Sequence, residues 1–231
     1  IKIRFMNPSK ILVIAAHPDD EIIGCGGTIL KFKKKCKIKI IFTCKTYDKR
    51  INNKSIKKNN ERQKIAKKVS KYLGIAEPEF LNFNGLSIGR KDITKMSRVI
   101  FEKIKKFKPQ MIFTHCIDDN HHDHRATTEA TMIACRPNKN ITFLKKIYSF
   151  EIPSASEKLI KKNRAFNPNY FVDIDKTYKK KIFILKKFYN DELKPYPNFL
   201  SLKSIENLIK FRGNSINIKA AEAFEVVKSV E

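Results

Sequence analysis

The sequence predicts an α/β protein: a Rossmann-like three-layer sandwich with a mostly parallel sheet and a C-terminal helical extension. Three observations predict it. Short apolar runs alternate with longer amphipathic segments, the βαβ pattern of a parallel sheet. The first run, Ile11–Ala16, stops abruptly at His17-Pro18-Asp19-Asp20-Glu21, and a helical pattern opens through Gly24-Cys25-Gly26-Gly27. A later run, Met111–His115, ends the same way, on Asp118-Asp119-Asn120-His121-His122-Asp123-His124. Open α/β sheets bind ligands beyond the carboxyl ends of their strands, so two polar clusters at two such ends are expected to share one site.

Taken in order, the first strand is Ile11–Ala16 and its helix about Ile23–Lys34. Ile38–Cys44 (IKIIFTC) reads as the second strand. The segment 47–60 is Lys- and Asn-rich without periodicity and reads as a loop near the site. A helix over about Arg62–Leu73 follows, with Gly74 placed to cap it. A short strand is expected at Glu79–Asn82. The apolar spacing of Met96, Val99, Ile100, Ile104 and Phe107 predicts a helix over Ile93–Phe107, which Pro109 ends. After Met111–His115 and its loop, ATTEATMIA reads as helix and Lys146–Phe150 as strand. Beyond Pro153 an extended piece is expected at Tyr170–Ile174, then helices at Thr177–Tyr189, Leu202–Phe211 and Lys219–Lys228. With no repeat and no linker, the chain reads as one domain over 1–231, a core of about 8–152 carrying an extension of about 153–231.

A formal net charge of +26 raises nucleic acid, an anionic membrane surface or a phosphorylated substrate as partners. The lysines are scattered through every segment, they far outnumber arginine, and no aromatic stacking motif accompanies them. No nucleic acid is therefore expected. No apolar run reaches the length of a transmembrane helix, and IKIRFMNPSK lacks the apolar core and cleavage site of a signal peptide. Five cysteines without a C-x-x-C pair fit reduced thiols in a cytoplasmic protein better than a disulfide framework.

The chemistry is in the two clusters. His17 and Asp20 stand three apart at a strand-to-helix junction, where i and i+3 face the same way, so one divalent metal, zinc first, can take both. Asp19 beside them is placed as general base. The second cluster supplies a third ligand, and the absence of thiolates from the set favours a catalytic over a structural ion. Helix capping by Asp19 and Asp20 would be the plainer reading, but it gives His17 no role. Gly24 to Gly27 lack the G-x-G-x-x-G spacing of a dinucleotide site and read as close helix–sheet packing, as does Cys25. His122 reads as a spacer, His115 as packing or outer contact, Asp118 and Asp119 as solvated loop carboxylates, and Glu21 as an outer partner.

AAHPDDEIIGCGGT followed by H-x-D-H and a helix resembles the PIG-L/LmbE-like family. ERQKIAKKVSKYLG, FNPNYFVDID and AEAF extend the likeness over most of the chain. The resemblance implies a zinc-dependent N-deacetylase acting on N-acetylglucosamine-type sugars. It implies metal ligands at His17, Asp20 and His124, a general base at Asp19, and at His121 an acid or oxyanion donor oriented by Asp123. It also aligns Arg62 with a substrate-contacting arginine. The implied partner is a small amino-sugar conjugate, phosphate- or lipid-linked species included, and homo-oligomers are common among members. Asp119 departs from the pattern, standing where some members carry a tyrosine. A hydrolase of another amide or ester, or a basic binding protein on the same fold, are the alternatives.

Overall fold

The structure, a computed structural model, describes residues 9–45, 53–153, 155–156 and 166–230. Seven strands form one sheet: β1 (Lys10–Ala15), β2 (Lys37–Lys45), β3 (Glu79–Asn84), β4 (Met111–His115), β5 (Lys146–Phe150), β6 (Tyr170–Asp173) and β7 (Ala221–Ser229), in the order β3-β2-β1-β4-β5-β7-β6. The first five are parallel. β7 runs antiparallel to both β5 and β6. Six helices accompany them: α1 (Asp20–Phe32), α2 (Asn53–Leu73), α3 (Arg90–Phe107), α4 (His122–Ala134), α5 (Tyr178–Phe188) and α6 (Leu202–Asn214).

The three layers follow from the period of two along β1. Ile11, Val13 and Ala15 point into a core shared with α1, α2, α5 and α6, while Leu12, Ile14 and Ala16 point into one shared with α3 and α4. With both faces covered, the strand reads as a continuous apolar run. β1 lies between β2 and β4, and the chain leaves it to build first one half of the sheet and then the other. That is the switch point at which a crevice opens. His17–Glu21 leave the end of β1 and residues 116–124 leave the end of β4, so both clusters reach it.

The small residues of α1 are a packing device, as the sequence implies. A Cβ on Gly24 would lie 2.3 Å from the Phe150 ring, and one on Gly27 would lie 2.7 Å from Ile174 Cδ1. Two expectations are corrected. Part of the predicted loop is helix: α2 begins at Asn53, because lysine has good helix propensity and a helix end needs no apolar stripe; residues 46–52 lie outside the described residues. The expected helix at Lys219–Lys228 is strand β7. Its first four residues are buried, and its ladders to β5 and β6 override the helical preference of an Ala- and Glu-rich segment. The C-terminal part thus completes the sheet as well as adding α5 beside α1 and α6 beside α5 and β7.

Candidate active site

The loop after β1 turns so sharply that Asp19 takes φ 117°, ψ −38°, a left-handed conformation that costs a non-glycine residue of order 1–3 kcal/mol. Its surroundings hold it there. The Asp19 N–H donates to Glu21 Oε2 (2.9 Å), and Asp19 O accepts from the N–H groups of Ile22 and Ile23 (3.0 and 2.9 Å). Glu21 is fixed from its other oxygen by the Tyr189 hydroxyl at 2.7 Å, so it is an outer support of the turn, as expected. Burial pushes the Glu21 carboxyl up to about 7, against the Tyr189 hydrogen bond.

Asp20 is the hub. Its Oδ2 accepts the His17 N–H (2.8 Å) and stands 3.5 Å from His17 Nδ1, 3.5 Å from His124 Nε2 and 3.4 Å from His115 Nε2. Ligand atoms about 2.1 Å from a tetrahedral zinc lie about 3.4 Å apart, and the Asp20–His17 and Asp20–His124 spacings are each of about that size. Among the described residues, three sets bring one ligand atom each within 4.8 Å of one another: His17/His121/His124, Asp20/His115/His124 and His17/Cys44/Asp123. The expected trio is divided between the first two and joined by the Asp20 contacts. His115 Nε2 accepts the Ala16 N–H at 2.9 Å, which commits that nitrogen to the backbone, and its ring stacks on His124 with centroids 3.9 Å apart.

The two neighbouring aspartates are in opposite electrostatic settings. Burial pushes the Asp19 carboxyl well above its ordinary value, while Arg62 pulls the other way with Nη2 at 3.4 Å. Asp20 is held well below it: burial opposes this, but His124, foremost, and His17 outweigh burial. For His17, burial lowers the imidazole, yet Asp123 and Asp20 raise it to about 9. His121 is lowered to about 4 by burial and by the charges of His124 and His17, so it is neutral at pH 7.

His121 caps α4, its Nδ1 accepting the Asp123 N–H at 3.2 Å, which leaves the proton on Nε2. The expected Asp123–His121 link therefore runs through the Asp123 backbone. The Asp123 carboxylate instead contacts His17 Nε2 (2.9 Å) and accepts the Leu86 N–H (2.7 Å). Asp119 corrects a second expectation, because it is fully buried and not solvated. Its Oδ2 lies 3.1 Å from His124 Nδ1 and accepts the Ser156 hydroxyl (3.0 Å), while Oδ1 accepts the His121 N–H (2.7 Å). A carboxylate on the far ring nitrogen of a metal-ligating histidine fixes its tautomer and orientation. Burial opposes ionisation of Asp119, but His124 holds its carboxyl below the usual range.

His17, Asp19, Asp20, His121, Asp123 and His124 line a cleft of about 280 Å³ together with Arg62, Leu86, Ile152, Glu192, Lys194 and Leu200. Arg62 is buried, its Nε 2.8 Å from Glu192 as well as its Nη2 near Asp19. Glu192, Lys194 and Leu200 come from the stretch between α5 and α6 and had no motif to reveal them. Cys25 bears out its packing role: its Sγ faces Glu21 O at 3.3 Å, and burial pushes the thiol well above its usual value.

Fold and site together define an α/β protein with a buried histidine–carboxylate centre at the switch point of its sheet. Residues 12–135 match the PIG-L family, described as GlcNAc-PI de-N-acetylase, and the chain belongs to that family. A similar curated protein is the uncharacterized deacetylase YaiS of Escherichia coli K12, 28% identical over 149 residues, which span 62% of this chain and 74% of YaiS. Among solved structures, the N,N'-diacetylchitobiose deacetylase of Pyrococcus horikoshii superposes with a TM-score of 0.75 at 19% identity, covering 97% of this chain and 85% of that one. The 4-carboxy-2-hydroxymuconate hydratase GalB of Pseudomonas putida KT2440 also reaches 0.75, at 17% identity, covering 96% and 98%. At such identities the likeness is one of fold.

Proposed function

We propose that this chain is a metal-dependent N-deacetylase that hydrolyses the acetamide of an N-acetylglucosamine-type amino sugar, or of its conjugate, and releases acetate. The observation that carries the reading is the Asp20 carboxylate, flanked at 3.5 Å by His17 Nδ1 and by His124 Nε2, with Asp19 beside it in the same cleft. His17, Asp20 and His124 would hold the ion, zinc first. When bound, such an ion acts as a Lewis acid on a carbonyl and makes water more acidic.

The chain's own groups divide the remaining work. Asp19, whose carboxyl burial makes more basic, takes the proton of the attacking water. Neutral His121, its Nε2 carrying a proton, donates to the developing oxyanion or the leaving nitrogen. Asp123 and Asp119 fix the imidazoles of His17 and His124. Arg62, with Glu192 and Lys194 in the same wall, supplies polar partners for sugar hydroxyls.

Because a hydratase shares the fold as fully as a deacetylase does, the test must read the product. Metal-loaded protein is expected to release acetate from a panel of N-acetylhexosamine conjugates, chelator-stripped protein is not, and Asp19→Ala is expected to lower the rate about 10²–10⁴-fold. No acetate from any conjugate, or undiminished release by Asp19→Ala, would overturn the reading.

A further inference from the structure

His17 faces two carboxylates at once. Its Nδ1 stands 3.5 Å from Asp20, on the side of the proposed catalytic ion, while its Nε2 stands 2.9 Å from Asp123 on the other. Beyond that second contact lies Cys44, at the end of β2, with one ligand atom each of His17, Cys44 and Asp123 within 4.8 Å of one another and all three residues buried. Of the five cysteines, Cys44 alone belongs to such a set among the described residues. Thr127 Oγ1 lies 4.0 Å from its Sγ and can offer a further oxygen.

We propose that His17 Nε2, Cys44 Sγ and Asp123 form a second metal site, selective for thiophilic divalent ions such as zinc or cadmium and inhibitory when filled. One nitrogen, one sulfur and one carboxylate oxygen are a zinc donor set, and a thiol selects against hard ions such as magnesium. Binding exchanges hydrogen for metal: the thiol proton and the proton shared by His17 Nε2 and Asp123 leave to solvent, and bonds from the ion to sulfur, nitrogen and oxygen form. Tetrahedral edges of about 3.4–3.6 Å require the His17–Asp123 pair, now 2.9 Å apart, to open and the approaches to Cys44, none longer than 4.8 Å, to adjust around the ion. Occupation takes Asp123 and one face of His17 away from the catalytic arrangement. Inhibition rests on the proposed deacetylase activity; binding does not.

The two parts are therefore read separately. Protein carrying one equivalent of zinc is titrated with cadmium, and a near-ultraviolet cadmium–thiolate absorption is expected that saturates at one ion per chain and is missing from Cys44→Ser. In acetate release, excess zinc is expected to inhibit, and Cys44→Ser should need at least the roughly 10–100-fold more metal that loss of even an outer contact imposes, with activity at one equivalent retained. Absence of the thiolate band from the unsubstituted protein, which requires no variant to fold, would overturn the site. An equal band in Cys44→Ser would do the same, and unchanged inhibition in that variant would overturn the inhibitory role.

Discussion

Replacing Glu222 with Gln should unfold this protein more easily than any change of that size on its surface, because of a break in α1. At Cys25 the helix departs from helical angles (φ −143°, ψ 23°), which frees a carbonyl before the break and N–H groups after it. Ile23 O accepts Lys181 Nζ at 2.7 Å, and Glu222 accepts the N–H groups of Gly27 (2.8 Å) and Thr28 (2.7 Å) and the Thr28 hydroxyl (2.6 Å). Lys181 and Glu222 also pair with each other at 2.7 Å, and both are buried, 2% and 4% exposed. Gln keeps the shape and one acceptor but leaves the ammonium without its counter-charge. Breaking a buried pair from one side costs about 3–5 kcal/mol. For a chain of this length each kcal/mol moves Tm by about 2–4 °C, so a fall of roughly 6–20 °C is expected. Reversible denaturant unfolding followed by circular dichroism measures the loss, with thermal scans as the second readout. Lys181→Met in the Glu222→Gln background should recover most of it, since a neutral pair leaves no buried charge. A Glu222→Gln variant within about 0.5 kcal/mol of the parent would refute the assignment of this pair as the splint of α1.

Two further predictions concern the same end of the sheet. Asp119→Asn removes the charge beside His124 Nδ1 and should weaken zinc affinity about 10–100-fold, measured by competition with a chromogenic chelator; unchanged affinity would remove Asp119 from the site. Gly24→Ala forces a methyl against the Phe150 ring and should cost about 1–3 kcal/mol in denaturant unfolding, part of it regained with Phe150→Leu; a neutral Gly24→Ala would show that the helix can shift.

The sequence located what burial makes loud. β4 and β5 run over the residues their apolar runs predict, since a strand covered on both faces must be apolar along its whole length. Both polar clusters were visible because nothing in the core of a sheet explains a histidine and two aspartates at a strand end. What stayed hidden depends on partners distant in sequence. β7 is a strand only because β5 and β6 flank it. Glu222 and Lys181, apart in sequence and each ordinary for a surface, meet under α1. Asp119 reads as a loop carboxylate until His124, His121 and Ser156 converge on it. Glu192 and Lys194 enter the cleft from a segment whose path local patterning does not encode.

At the proposed site two adjacent residues of one type are driven apart in proton affinity. Asp19 and Asp20 are neighbours in the chain, both buried and alike in side chain, so composition cannot separate them. Their neighbours do. Asp20 sits beside His17 and His124, and against the penalty of burial His124 foremost holds its carboxyl well below the ordinary value, which suits a metal ligand. Asp19 is turned by its left-handed backbone towards a single arginine that Glu192 also engages, and there burial prevails and makes the carboxyl more basic. Pairs of like groups whose surroundings push their proton affinities apart are how one fold runs base and electrophile side by side. A helix cap would need neither the separation nor the imidazoles. The fold is shared with a hydratase, so the sheet alone does not dictate the reaction, and it is this division between Asp19 and Asp20 that the Asp19→Ala measurement interrogates.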